Sequence, residues 1–167
     1  ATLAWRAPEH AHKLRLIVKD ALQVTRQDVD DVGAPMPTAL VANLPYNVSV
    51  PVLMHLLESF PSWRRGLVMV QLEVADRLAA QPGSKVYGAP SAKLAWWASA
   101  KRVGTVPPKV FWPVPNVDSG LVRLERRDPP ATTATRERTF AVIDAAFASR
   151  RKMLRAALAG IFGSSAA

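Results

Sequence analysis

The sequence predicts an α/β fold with a mostly parallel sheet covered on both faces. Two short apolar runs, at residues 39–42 and 66–71, have the composition of buried strands, and a stretch of helical character follows each. Strands that alternate with helices imply βαβ units. The chain has 167 residues, of which 49% are hydrophobic, so it has enough apolar side chain for a sizeable core.

The first predicted element is a strand over residues 14–20, because Leu14, Leu16 and Val18 occupy alternate positions before Asp20. A polar loop over residues 30–37 leads to the strand at 39–42. A helix over residues 49–58 follows, with Ser49 as a possible N-cap. A parallel sheet that opens at residue 14 lacks its first strands, so we expect the chain to be a fragment of a longer protein.

The second half contains two strands with no helix between them, which suggests an antiparallel pair at the sheet edge. Apolar residues at helical spacing predict one helical region over residues 136–162, and this region is expected to open a second domain. The predicted elements after residue 65 are a strand at 66–71, a helix at 73–80, a loop at 81–90, a helix at 91–100 that buries Trp96 and Trp97, strands at 101–106 and 117–126, a linker at 128–135 and the helical region. The predicted domains are residues 1–127 and 136–167.

Composition excludes several classes of protein. The chain has no cysteine, so it has no disulfide framework and no thiolate zinc site. No apolar run approaches the roughly 20 residues of a membrane span, and charged residues interrupt the first residues where a signal peptide would be apolar. The three histidines lack the spacing of metal ligands, so no metal site is predicted.

The charge of the chain is uneven. Residues 1–60 hold five basic and six acidic side chains, whereas residues 61–167 hold 17 basic and seven acidic ones. A near-neutral first part followed by a basic remainder points to a polyanion, most simply nucleic acid. The alternative is a basic surface that serves solubility alone.

The sequence Asn43-Leu44-Pro45-Tyr46 follows a predicted strand, at the sheet edge where open α/β sheets bind ligands. These residues suit the task of holding a planar amine beside a methyl donor. The Asn43 oxygen and a backbone carbonyl can accept the two N–H bonds of an adenine amine, and Tyr46 offers a flat face to a base rotated out of its helix. Methyl transfer needs positioning more than a strong base. The alternative is an ordinary strand-to-helix turn with a buried tyrosine.

Longer segments resemble the rRNA adenine N6-dimethyltransferases, the family that dimethylates adenines near the 3′ end of small-subunit rRNA. The resemblance covers about residues 14–160, and the 16S branch of the family looks closest. Five segments carry it: Val41-Ala42-Asn43-Leu44-Pro45-Tyr46-Asn47-Val48-Ser49, Gln71-Leu72-Glu73-Val74-Ala75-Asp76-Arg77, Pro82-Gly83-Ser84-Lys85-Val86-Tyr87-Gly88, Phe111-Trp112-Pro113-Val114-Pro115-Asn116-Val117-Asp118-Ser119-Gly120 and Ala146-Phe147-Ala148-Ser149-Arg150-Arg151-Lys152-Met153-Leu154-Arg155. The resemblance implies an incomplete Rossmann-like class I methyltransferase sheet, followed by the start of a small helical domain.

The resemblance also implies roles for particular residues. Asp20, with Ala21, would contact the adenine of S-adenosyl-L-methionine, and Asn43 would border the same cofactor. The residues from Asn43 to Tyr46 would hold the target amine, and Phe111 would cover the target base opposite Tyr46. Side chains expected to bind RNA are Lys85, Arg150, Arg151, Lys152 and Arg155. From the residues alone, Asp20 could instead cap a helix or loop, Phe111 could be a core aromatic, and the basic run could be a solvated helix face with Phe147 and Leu154 turned inward.

The implied partner is 16S rRNA in the small ribosomal subunit, and the protein is expected to be a cytoplasmic monomer that does not bind membranes. The glycine-rich cofactor loop of the family and the acidic residue that binds the ribose are absent from this chain, so we expect the chain alone to be inactive. Two other functions stay open. One is the methylation of large-subunit rRNA by the branch that confers macrolide resistance, and the other is RNA binding or assembly without catalysis.

Overall fold

The computed structural model describes residues 8–149 and 152–162, and its centre is a four-stranded sheet. The strands are β1 (Ala39–Asn43), β2 (Arg65–Gln71), β3 (Ala98–Val106) and β4 (Ser119–Arg126), in the spatial order β1-β2-β4-β3. β1 and β2 are parallel, whereas β4 is antiparallel to both of its neighbours. The antiparallel pair at the edge is confirmed, but the described sheet is mixed rather than mostly parallel.

Six α-helices accompany the sheet in the described part of the chain. They are α1 (Arg26–Asp31), α2 (Ser49–Ser59), α3 (Leu72–Leu78), α4 (Ala89–Leu94), α5 (Arg136–Phe147) and α6 (Leu154–Phe162). Short 3-10 helices occur at Pro8–Lys13 and Pro108–Val110. Among the described residues, no helix has the length and apolar character needed to cross a lipid bilayer.

The hydrophobic core lies on one face of the sheet. Val68 and Val70 of β2 are fully buried there, together with Leu53 and Leu57 of α2. The opposite face is open within the described residues: Val41 is 80% exposed and lies beside Leu67 in the strand register. The expectation of a sheet covered on both faces is therefore wrong for the part described, because the helices pack on one side only.

The predicted strand over residues 14–20 does not form. It belongs to no strand ladder in the described part of the chain, and its printed backbone bonds are local, from the Leu14 N–H to the Ala11 carbonyl and from the Gln23 N–H to the Asp20 carbonyl. The alternating side chains of Leu14, Leu16 and Val18 are exposed, with Val18 at 90%. A strand is stable only when its N–H and C=O groups pair with a neighbour, so an alternating pattern alone does not make one. Lys19 anchors the end of the segment, since its Nζ lies 2.8 Å from a carboxylate oxygen of Asp28 in α1. The chain just after the segment is held by His55 of α2, whose Nε2 lies 2.8 Å from the carbonyl oxygen of Val24.

Three helix predictions need correction. Ser49 is the first residue of α2 rather than its N-cap, which is Val48. The helix predicted over residues 91–100 is α4, which ends at Leu94, because the chain from Ala98 pairs with β4 as part of β3. The helical region at 136–162 contains two helices in the described part of the chain, since α5 ends at Phe147 and α6 begins at Leu154.

Helix α5 packs on the other elements through aromatic and ionic contacts. The Phe140 ring meets the Trp97 ring edge-on, with centroids 5.2 Å apart. Arg136 forms an ion pair with Glu58 of α2. These contacts fix the position of α5, while the division of the chain into domains at residues 128–135 stays a prediction.

Candidate active-site cleft

The turn after β1 presents polar and aromatic groups at the carboxyl end of the sheet. The Leu44 N–H donates to the carbonyl of Met69 at 3.1 Å, which extends the pairing with β2 by one residue. Leu44 is buried, whereas Asn43 and Pro45 are exposed and Tyr46 is half-buried. The Val48 N–H donates to the Pro45 carbonyl at 3.2 Å and closes the turn before α2. The buried leucine therefore anchors the turn, and Asn43 and Pro45 on either side of it are exposed.

An open cleft of about 390 Å³ lies at this turn. Asn43, Leu44, Pro45 and Tyr46 form one part of its lining, and Phe111, Trp112, Pro113 and Pro115 form the rest. The structure thus brings together all five residues that the sequence analysis assigned to the target adenine. Asn43 has no side-chain hydrogen bond to the described part of the protein, so its amide remains available to a ligand.

Phe111 reaches the cleft from the loop between β3 and β4. Its N–H donates to the Pro108 carbonyl at 3.0 Å, at the end of the 3-10 turn. The ring is half-buried and does not belong to the hydrophobic core, so the interpretation of Phe111 as a core aromatic is wrong. Its proposed role as a cover for the base remains a prediction.

Tyr46 is held in place by a residue to which the sequence analysis gave no role. The hydroxyl groups of Tyr46 and Ser119 are 2.7 Å apart and form a hydrogen bond. Ser119 is the first residue of β4 and its relative exposure is 0%. The buried Ser119 hydroxyl has no access to water, so it depends on Tyr46 as its hydrogen-bond partner. The bond therefore favours one orientation of the tyrosine ring. Seventy-three positions separate the two residues, and no local pattern signals such a contact.

Asp20 and Ala21 lie outside the lining of the cleft. One carboxylate oxygen of Asp20 accepts a hydrogen bond from the Leu22 N–H at 3.0 Å, so the residue closes a local turn, as the loop alternative suggested. A carboxylate has more than one acceptor position, and Asp20 is exposed. The residue therefore keeps the capacity to accept a bond from an exocyclic amine, as the cofactor interpretation requires.

The segment that carries Asp20 is fixed by a charged capping arrangement at α1. The Asp28 carboxylate accepts hydrogen bonds from Lys19 and from the N–H and hydroxyl of Thr25. The Lys19 ammonium and the Thr25 donors lower the pKa of Asp28 from 3.8 to about 2. The carboxylate is therefore ionised in neutral solution and ties residues 19 and 25 to the start of the helix.

Of the residues expected to bind RNA, the three that the structure describes do not line the cleft. Lys85, Lys152 and Arg155 are exposed, whereas Arg150 and Arg151 fall outside the described residues. Lys152 lies in the turn before α6 rather than on a continuous helix, and Leu154 is 62% exposed rather than turned inward. Phe147, at the end of α5, is also exposed. The prediction that Lys152 and Arg155 lie on one helix is therefore wrong, because Lys152 precedes the first residue of α6.

A family model and several curated proteins match nearly the whole chain. The model described as ribosomal RNA adenine dimethylase matches residues 2–167. The chain belongs to that family. A ribosomal RNA small subunit methyltransferase A from Thermobifida fusca is 61% identical over 166 residues, which cover 99% of this chain and 56% of that protein. One with the same name from Kineococcus radiotolerans is 64% identical over 152 residues, which cover 91% of this chain and 49% of that protein.

Solved structures show the fold of this dimethylase-family chain. A dimethyladenosine transferase from Plasmodium falciparum superposes with a TM-score of 0.77 at 23% identity, covering 93% of this chain and 54% of that chain. The 23S rRNA methyltransferase ErmE superposes with a TM-score of 0.69 at 23% identity, covering 98% of this chain and 63% of that chain. The expected Rossmann-like methyltransferase fold is confirmed. The chain spans about half the length of the curated relatives it matches.

Proposed function

We propose that the protein of which this chain forms a part transfers methyl groups from S-adenosyl-L-methionine to the N6 amine of adenines in small-subunit rRNA. The observation that carries the proposal is that Asn43, Tyr46 and Phe111 line one cleft at the carboxyl end of a strand. The names of the 61–64% identical relatives support the choice of the small subunit. No observation on this chain favours the large subunit, since the likeness to ErmE is one of fold.

In this proposal, Tyr46 and Phe111 hold the rotated adenine between them. Base–aromatic stacking contributes about 1–3 kcal/mol per base, which offsets much of the cost of unstacking it. The hydrogen bond between Ser119 and Tyr46 limits the rotation of the tyrosine ring, so the stacking surface is preorganised.

Asn43 then acts on the amine. Its side-chain oxygen and a carbonyl of the turn accept the two N–H bonds, which favours the pyramidal nitrogen whose lone pair is free to attack. S-adenosyl-L-methionine, when bound, supplies a methyl group on a positively charged sulfur. Each methyl group gained by the nitrogen costs it one proton, which is released to solvent. Positioning of this kind supplies much of the rate, since no side chain has to remove a proton beforehand.

On the cofactor side, we assign Asp20 and Ala21 to the adenine of S-adenosyl-L-methionine and Asn43 to its edge nearest the target. The exposed Asp20 carboxylate fits an exocyclic amine donor. We assign Lys85, Lys152 and Arg155, together with Arg150 and Arg151, to phosphates of the rRNA, which fits the basic balance of residues 61–167. A ribosomal substrate in bacteria implies a cytoplasmic enzyme, and we expect it to act as a monomer.

The direct test is methylation of unmodified small ribosomal subunits by the complete protein, followed by mass analysis of the adenines. We expect N6-dimethyladenine in the small-subunit rRNA of the treated particles. The absence of any N6-methylated product would contradict the proposal, and modification confined to the large subunit would replace it with the alternative. If catalysis is not the function, Asn43→Ala and Tyr46→Ala will leave biological function intact.

A further inference from the structure

Trp112 is the most exposed large hydrophobic residue in the described part of the chain, at 94%. Indole is among the largest apolar surfaces that a side chain offers, and apolar surface that stays exposed to water does not stabilise the fold. Val110 and Val114 of the same loop are also exposed. A single exposed apolar residue is common, but Trp112 differs because it also lines the cleft beside Phe111.

The loop displays the indole on a stiff support. Pro107 and Pro108 precede the ring and Pro113 and Pro115 follow it, and each proline fixes its own φ angle. The N–H of Val110 donates to the Pro107 carbonyl at 3.3 Å and adds a 3-10 turn. A loop backbone held in this way loses little conformational entropy when a ligand covers the ring that it carries.

The chemistry of the cleft favours a base over a phosphate. The residues that line it include no charged side chain, and three of them are aromatic. Such a surface offers stacking area and no counter-charge. The exposed Lys109 lies in the turn just before it, where it suits the phosphate that joins two nucleotides.

We propose that Trp112 is a stacking platform for the unpaired nucleotide next to the target adenine. This inference rests on the proposed function, because rotation of the adenine out of its stack also uncovers its neighbour. The adjacent base then covers the indole while the adenine enters between Tyr46 and Phe111. Stacking on a flat ring tolerates any base, so Trp112 contributes affinity for an unpaired strand rather than sequence choice.

The test measures kcat and KM for unmodified small ribosomal subunits with the complete protein carrying Trp112→Ala, Trp112→Phe or Val114→Ala. Stacking by one base predicts that Trp112→Ala lowers kcat/KM by about 5- to 140-fold. The loss falls mainly on KM, since the contact is present before and during the reaction. Trp112→Phe keeps most of the efficiency. Val114→Ala removes exposed apolar surface outside the cleft lining and leaves the efficiency unchanged.

A second measurement separates this inference from the proposed function. A short single-stranded oligoribonucleotide is titrated into the wild-type protein and the Trp112→Phe variant, with tryptophan fluorescence as the signal. We expect quenching in the wild-type protein that the variant lacks, and this result stands even if no methyl transfer is found. Equal quenching in both proteins would overturn the inference, and so would equal kcat/KM for Trp112→Ala and Val114→Ala. A wild-type protein that is dimeric and a Trp112→Ala variant that is monomeric would also overturn it, because the indole would then serve a dimer interface.

Discussion

Replacing Ser119 with alanine removes the hydroxyl that holds Tyr46, and we expect it to lower the free energy of unfolding by about 0.5–1.5 kcal/mol. The bond is short, at 2.7 Å, and joins β4 to the turn after β1. Because Tyr46 is only half-buried, its hydroxyl can turn to water when Ser119 is lost. The penalty therefore stays near that of one ordinary hydrogen bond.

Removal of the other hydroxyl of the pair, by Tyr46→Phe, is expected to lower the free energy of unfolding more, by about 1–3 kcal/mol. It leaves the fully buried Ser119 hydroxyl without a partner and without access to water. The double variant removes both partners, so its cost is expected to be no greater than that of Tyr46→Phe alone. The magnitude of the coupling energy between the two sites is therefore at least the cost of Ser119→Ala, about 0.5–1.5 kcal/mol.

Equilibrium unfolding in urea measures the four proteins of this cycle. Ser99→Ala on the neighbouring strand is a matched control, because that hydroxyl is exposed and makes only a 3.5 Å contact with the Glu125 carbonyl. We expect it to change stability by less than about 0.5 kcal/mol. Strictly additive costs for Ser119→Ala and Tyr46→Phe would refute the reasoning, since residues that do not share a bond show no coupling.

Three further predictions follow from the same structure. Gly120→Ala would place a Cβ 2.4 Å from that of Ala75 in α3, so we expect a loss of about 1–3 kcal/mol from overpacking, and urea unfolding should show partial rescue by Ala75→Gly. The pKa of Asp28 is lowered from 3.8 to about 2 by Lys19 and Thr25, so its contribution to stability is present above pH 3.8 and is lost as the pH falls through about 2. In the Asp28→Asn variant, the free energy of unfolding should therefore depend less on pH in that window. An unchanged pH profile would contradict the assignment. Asn43→Ala removes an acceptor whose hydrogen bond becomes stronger as the amine nitrogen becomes positive in the transition state. We therefore expect kcat of the complete enzyme to fall about 10- to 150-fold with little change in KM. A loss confined to KM would show that Asn43 only binds the ground state.

The strands at residues 39–42 and 66–71 were predictable because their apolar runs are local and their partners lie nearby in the sheet. The alternation at Leu14, Leu16 and Val18 is just as regular, yet it forms no strand, since pairing depends on a neighbour that local sequence does not reveal. Trp96 and Trp97 lie in the turn between α4 and β3 rather than in a helix, and both pack on Phe140 of α5, a partner that local sequence does not reveal.

The cleft, too, could be predicted from local sequence only in part. The Asn43-Leu44-Pro45-Tyr46 turn was predictable from its residue types and its position after a strand. The meeting of this turn with Phe111 was expected only from the resemblance to a family, because no spacing connects residues so far apart. The hydrogen bond of Tyr46 to Ser119 and the exposure of Trp112 depend on tertiary structure alone.

The central claim is that an adenine base lies between two rings while its amine meets an asparagine. A solved structure of the complete protein with an oligoribonucleotide that contains the target adenine would test it most directly. We expect the purine between Tyr46 and Phe111, with N6 about 2.7–3.2 Å from the Asn43 side-chain oxygen. A base bound elsewhere, or one that contacts only a single ring and leaves Asn43 unpaired, would contradict the account.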